Sequence, residues 1–375
     1  SGLGILTKGP VALLIFLLTF GEYLIYRRFR FEFRWRDVLV YVAVLSVVGG
    51  AWFILLIANG NYSVIQDFIA YQIRLFQTQD AGHGGFFLYH FVILFLGVFP
   101  AAIFAIPAFR KSIVKGEKNR ELAEMFRWMM ISFWVVLILF TIVKTKIVHY
   151  SSFCYFPLTF LAAYVLDKMF CGEIRFKGYM KVLLVVISSV YGVIITAITL
   201  FDKFKEKIYP LVDDPYTLNS MRATSEWIGF EPFVGVILVI CTVVFCIRFS
   251  KRCSISNLSV LSCGTLFFIF VLMLSAVGEI EKYSQAPAVD FYISKRGEDC
   301  YIYPREKSYA HYFYSDRQPQ NRCADLDWLS RGDIDKPVYF VIKNNPQRVE
   351  DFVSKIKNCE KLYEENGFVF YVRKP

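Results

Sequence analysis

Charge is scarce in this sequence, and whole blocks lack it. Of 375 residues, 20% are Asp, Glu, Lys or Arg, against about 25% in ordinary soluble domains. Stretches free of all four run 38–58, 86–109, 128–143, 147–166, 182–201, 232–247 and 253–278. Such blocks exclude a soluble globular enzyme and a disordered chain. Position 1 lacks Met, and Ser1 leads directly into Gly2-Leu3-Gly4-Ile5-Leu6. With neither a charged n-region nor a cleavage pattern, this is no signal peptide; it reads as the middle of a longer protein. The nine cysteines form no disulfide framework, and none has zinc-site spacing.

Apolar residues fill the gap: 56% of the chain is hydrophobic and 18% aromatic, with a mean hydropathy of +0.44. A bilayer core of about 30 Å needs about 17–25 apolar helical residues. Each charge-free stretch is therefore read as a span. Segment 9–26 makes an eighth if Glu22 snorkels or pairs near its basic end. The shorter 128–143 and 232–247 extend as flanking Lys144 and Arg248 snorkel. The expected fold is a polytopic α-helical membrane protein: residues 1–278 with eight spans (9–26, 38–58, 86–109, 128–143, 147–166, 182–201, 232–247, 253–278) and an external loop 59–85.

Loops 27–37, 109–127, 168–181 and 248–252 hold eighteen Lys and Arg, against seven in 59–85, 144–146 and 202–231. The positive-inside rule places the first set in the cytoplasm. A headgroup-binding role for Arg27, Arg28, Arg30, Arg34 and Arg36 is the alternative. The net charge of +10 then reflects topology and contact with membrane lipids, not nucleic acid. Residues 279–375 form an external domain, periplasmic in a bacterial inner membrane.

That tail reads as a small α/β domain. Segments 299–304, 337–343 and 367–373 suit strands. Pro346 to Lys357 suits an amphipathic helix bearing Val349, Phe352, Val353 and Ile356 on one face. Asn366-Gly367 marks a turn after 359–365. One disulfide among Cys300, Cys323 and Cys359 is left open, and His311 among its tyrosines reads as a surface or packing residue.

Polar chemistry gathers in three clusters on the external side. Lys8, in Thr7-Lys8-Gly9-Pro10, precedes a span whose N-terminus would favour an anion; an interfacial lysine is the alternative. Gly82-His83-Gly84-Gly85-Phe86-Phe87-Leu88-Tyr89-His90 closes the long loop, after an amphipathic stretch at 62–78 of the kind that lies in a membrane surface. Lys144-Thr145-Lys146-Ile147-Val148-His149-Tyr150 makes a tight turn between two spans. Lysines, His149 and Tyr150 at headgroup level suit a phosphate; snorkelling lysines with an aromatic belt are the alternative.

In register, these clusters resemble the "LTKGPVA", "GHxGPFYYY" and "KTKLPHY…P" segments of the lipid A aminoarabinose transferase and protein O-mannosyltransferase superfamily. Pro157 matches the last position, while Phe86 and Val148 replace expected prolines. The resemblance implies a GT-C-type polyprenyl-phosphate-dependent glycosyltransferase. The sugar would move, with inversion, from a polyprenyl-phosphate-linked donor to a lipid A, glycan or protein acceptor. Lys8, His83, Lys144, Lys146, His149 and Tyr150 would hold the lipid phosphate and the donor. The family's catalytic Asp lies in a first external loop, expected upstream of Ser1; Asp67, Asp80, Asp202, Asp213 and Asp214 lie outside its motif. No pattern calls for a cofactor. A divalent metal is left open, since His83 alone makes no site. The rival reading, a multi-span transporter or lipid flippase, predicts internal repeats and midplane charges, and the sequence has neither.

Overall fold

The computed structural model describes residues 1–30, 34–77, 85–110, 112–227, 229–306 and 308–375. The chain divides into two compact units. The first comprises 1–187 and 248–254; the second comprises 188–247 and 255–375.

The elements of the first unit begin with α1 (Gly2–Lys8), α2 (Val11–Tyr26), α3 (Trp35–Ala58) and α4 (Tyr62–Gln77). Then come α5 (Tyr89–Gly97), α6 (Ala101–Ala105), α7 (Ser112–Lys115), α8 (Arg120–Ile142) and α9 (Tyr155–Phe170). Helix α10 (Gly178–Ile208) starts in this unit and ends in the other. Among the described residues six helical segments are long and apolar enough to cross a membrane: α3, α8, Val148–Phe170, Gly178–Leu211, Glu231–Lys251 and Ile255–Lys282. This is a membrane protein.

Two of the eight expected spans are not single membrane-length helices. Segment 86–109 is bent by 108° between α5 and the stretch Ala101–Phe109. Pro100 at the break has no N–H to donate and ends the helical ladder. Segment 9–26 holds α2, whose 16 residues reach about 24 Å at 1.5 Å per residue, short of a 30 Å core. The glycine at position 9, with φ 71°, turns the chain between α1 and α2.

The core of the first unit lies among α6, α8 and α9. Ile103, Phe104, Val136, Leu137, Leu161 and Val165 are all at most 1% exposed. Helix α8 starts on Asn119, whose side chain accepts from the Leu122 N–H, a cap worth about 1 kcal/mol. Just before it, Glu117 accepts from the Asn119 N–H and from Tyr164, and pairs with Lys168 at 3.1 Å. Those bonds hold its carboxyl down at about 2.

The second unit adds α11 (Pro215–Ser220), α12 (Glu231–Lys251), α13 (Ile255–Lys282), α14 (Ala286–Ser294), α15 (Ala310–Tyr314), α16 (Leu326–Arg331) and α17 (Pro346–Val353). Its strands are β1 (Tyr301–Pro304), β2 (Val338–Lys343), β3 (Cys359–Glu365) and β4 (Phe368–Arg373), in the order β1-β2-β4-β3. β1 and β2 are parallel and the other pairs antiparallel. Strand alternation sends Val338, Phe340 and Ile342 to one face with Leu329 and Phe352. Val341, Phe368 and Phe370 meet Phe291 and Tyr292 on the other. Small residues let α10 and α12 touch: a Cβ on Gly235 would lie 2.6 Å from the Gly192 Cα.

The boundary expected at 278/279 falls inside α13, which runs to Lys282. The sheet belongs to the same compact unit as 188–247. Buried Lys205 bonds Asp202 at 2.7 Å and the Ala223 carbonyl, and Tyr283 donates to Asp202 at 2.6 Å. These contacts tie 202–225 to the start of the tail. Cys300, Cys323 and Cys359 are all free thiols. His311 is buried and packs on Tyr312 at 3.9 Å, a packing role rather than a surface one.

Candidate functional site

Two of the three sequence clusters meet on one cavity in the first unit. It measures about 830 Å³, and its lining includes Lys8, Pro10, Gln72, Phe140, His149 and Tyr150. Lys8 is the last residue of α1, so it ends a short helix of its own before Pro10 starts the next. Its side chain is exposed, and among the described residues it has no ion-pair partner. His149 and Tyr150 come from the 3-10 helix Val148–Cys154, where their rings meet edge-on at 5.1 Å. Phe140 packs against Tyr150 at 5.2 Å. The cavity is thus mainly apolar, with one cation, one imidazole and one phenol on its wall. Among the described residues no Asp or Glu lines it.

The second cluster enters through Gly85. A Cβ there would stand 3.0 Å from the Lys146 Cγ and 3.3 Å from the Tyr89 ring. A side chain at 85 would make Lys146 and Tyr89 give way by a few tenths of an ångström. His83 lies outside the described residues.

The two lysines of the third cluster have different placements. Lys144 is exposed and free of ion pairs among the described residues. Lys146 is turned inward and 6% exposed. Its ammonium donates to the carbonyls of Phe140, Thr141 and Val143 at 3.0, 2.6 and 2.7 Å. These oxygens lie at the C-terminal end of α8, where the helix leaves acceptors unpaired and carries partial negative charge. An ammonium has three donors, and all three are spent here. Burial pulls the Lys146 pKa below the usual lysine value. Lys146 does not line the cavity; it fixes the turn that carries Lys144, His149 and Tyr150.

Sequence reasoning did not find Gln72, Phe140, Ser152 or Phe156 on the cavity. Gln72 had a weak signal, a polar residue between apolar ones on amphipathic α4. The others look like span filler in one dimension. Among the described residues no group of three His, Cys, Asp or Glu is placed to hold a metal.

No family model matches the chain. An uncharacterised protein of Aquifex aeolicus (strain VF5) is 26% identical over 191 residues, covering 50% of this chain and 41% of that protein. The crystal structure of ArnT from Cupriavidus metallidurans bound to undecaprenyl phosphate superposes with a TM-score of 0.63 over 99% of this chain. The chain has the ArnT fold. Identity across that match is 15%, and it covers 67% of ArnT. The apo state of ArnT gives a TM-score of 0.62 at 16% identity, covering 66% of that protein. The chain therefore spans about two thirds of ArnT's length. The polytopic helical architecture with a small C-terminal α/β region, expected from the charge-free stretches and the strand pattern of the tail, is the one observed.

Proposed function

We propose that this chain forms the lipid-phosphate side of a membrane glycosyltransferase that uses a polyprenyl-phosphate-linked sugar. The observation that carries this reading is the 830 Å³ cavity, where Lys8, His149 and Tyr150 share a wall that is otherwise mainly apolar. An apolar hollow with a cation and two hydrogen-bonding rings suits a lipid that ends in a phosphate. ArnT, which shares the fold, binds undecaprenyl phosphate in its crystal structure.

In this reading Lys8 faces the phosphate across the cavity, with Tyr150 and His149 as donors. Lys144, exposed on the same turn, adds a second positive charge. When the anomeric carbon–oxygen bond breaks, the leaving lipid phosphate gains negative charge. Cations fixed there stabilise the transition state more than the ground state. The acceptor hydroxyl attacks from the opposite face, giving inversion, and its proton passes to a carboxylate. None of the described residues is assigned as that base. The acceptor is a lipid, glycan or protein on the external face of a bacterial inner membrane, and the sheet-bearing tail is periplasmic. Lys146 acts through the turn rather than on the ligand.

The test uses the full-length protein in nanodiscs with undecaprenyl phosphate as the probe. Binding should weaken about tenfold, about 1.4 kcal/mol, in Lys8→Ala, with thermal stability unchanged. Transfer of radiolabelled sugar from a polyprenyl-phosphate donor in proteoliposomes should fall in parallel. Equal binding by Lys8→Ala and the unsubstituted protein would remove Lys8 from the site; no binding by either would reject the reading.

A further inference from the structure

We infer that His90 is a positioning residue: through Ser151 it holds the 3-10 helix that presents His149 and Tyr150 to the cavity. The inference rests on the proposed function for its purpose, though not for its geometry. His90 sits in the first turn of α5 and is fully buried, as is Ser151 in the 3-10 helix. His90 Nδ1 lies 3.1 Å from Ser151 Oγ. Ser151 Oγ in turn lies 3.3 Å from the Val148 carbonyl and donates to it.

A hydroxyl has one proton. Both contacts are hydrogen bonds only if that proton goes to Val148 and Nδ1 carries its own. Geometry therefore places a proton on Nδ1. Nε2 has no partner among the described residues, so the ring makes one directed bond, and that bond ends beside the site. Tyr150 and Ser151 are adjacent in sequence, and His149 precedes them.

Ring packing supports the same wall from a second side. The His90 ring lies 6.2 Å from Phe140, and Phe140 packs on Tyr150. Tyr89, next to His90, stands edge-on to it at 5.2 Å and also faces Gly85. His90 thus joins the end of the second sequence cluster to the end of the third. It does not line the cavity, so it acts through the residues that do.

Two amides separate a directed bond from mere packing. The side-chain nitrogen of Asn reproduces Nδ1, whereas that of Gln reaches the Nε2 position. In the full-length protein in nanodiscs, His90→Gln and Ser151→Ala should each raise amide hydrogen exchange across 148–154 and weaken undecaprenyl phosphate binding about tenfold. His90→Asn should leave both within about threefold of the unsubstituted protein. The double variant His90→Gln/Ser151→Ala should be no worse than the poorer single one, because both remove the same bond. Equal exchange at 148–154 in His90→Asn and His90→Gln would overturn the inference, as would single effects that multiply. If the unsubstituted protein fails to bind undecaprenyl phosphate while the exchange pattern holds, the functional reading fails and the positioning role stands.

Discussion

Lys146 shows how a single side chain decides between two readings of a motif. In sequence, the lysines at 144 and 146 look equivalent, and both suit a phosphate. Folding gives Lys146 three carbonyls at the end of α8 and leaves Lys144 exposed. Removing the Lys146 ammonium leaves buried acceptors unpaired, at about 1–3 kcal/mol per group. Lys146→Met should therefore lower the thermal midpoint, while Lys144→Ala leaves it unchanged and weakens only phosphate-lipid binding. A differential melt of both variants checks this; equal midpoints would place the two lysines in the same role. His311 makes a pH prediction at the same scale. Burial pulls its pKa from 6.5 to about 4, so the fold holds the neutral ring while the unfolded chain takes up a proton. Its contribution is whole above about pH 6.5 and falls as pH drops from 6.5 to 4, by roughly 3 kcal/mol. Between pH 7 and 4.5 the unfolding midpoint should drop more in the unsubstituted protein than in His311→Phe.

At the scale of elements, close packing is set by glycines. Gly235 admits α10 to within contact of α12, since any Cβ would meet the Gly192 backbone at 2.6 Å. Backbone cannot yield as a flexible side chain can, so Gly235→Val should destabilise by about 1–3 kcal/mol. The comparison is with Gly278→Val, where no atom lies within 4 Å of the added Cβ; matching losses of folded protein in detergent would refute the packing argument. Several elements were legible from periodicity alone. The amphipathic stretch expected at 62–78 holds α4 (Tyr62–Gln77), the strand expected at 337–343 holds β2 (Val338–Lys343), and Asn366-Gly367 joins β3 to β4. The bend in 86–109 was not legible, because hydropathy reports the solvent of a segment and not its direction. Pro100 was visible in the sequence, but prolines inside spans are common enough that one does not specify a 108° bend.

For the molecule as a whole, the main revision concerns the tail. A polar run after a long apolar one reads as a separate domain. The structure instead groups the sheet with 188–247 and 255–282. Ser225 and Tyr283 bond at 2.8 Å, and Tyr283 reaches Asp202. Tyr216 on α11 packs against Phe368 and lies under Lys343. The isolated segment 283–375 should thus unfold at a lower temperature than the same residues in the full chain, with the loss centred on the α14 face of the sheet. Hydrogen exchange of the β4 amides followed against temperature in both forms checks this; an unchanged midpoint would mean that contacts with 202–225 add nothing.

Sequence alone determined the solvent of each segment, since burying about 20 uncharged residues in hydrocarbon is a local property that composition records. It also marked three polar clusters at span ends, because charge near a bilayer is costly enough to be informative. Tertiary structure decided which of those groups face one another. It brought Lys8 to His149 and Tyr150 on one cavity, turned Lys146 away from it, and placed Gly85 against that lysine. The scarcity of charge thus named the medium. The direction of each remaining charge depended on carbonyls, rings and glycines distant in sequence, which meet only when the helices pack.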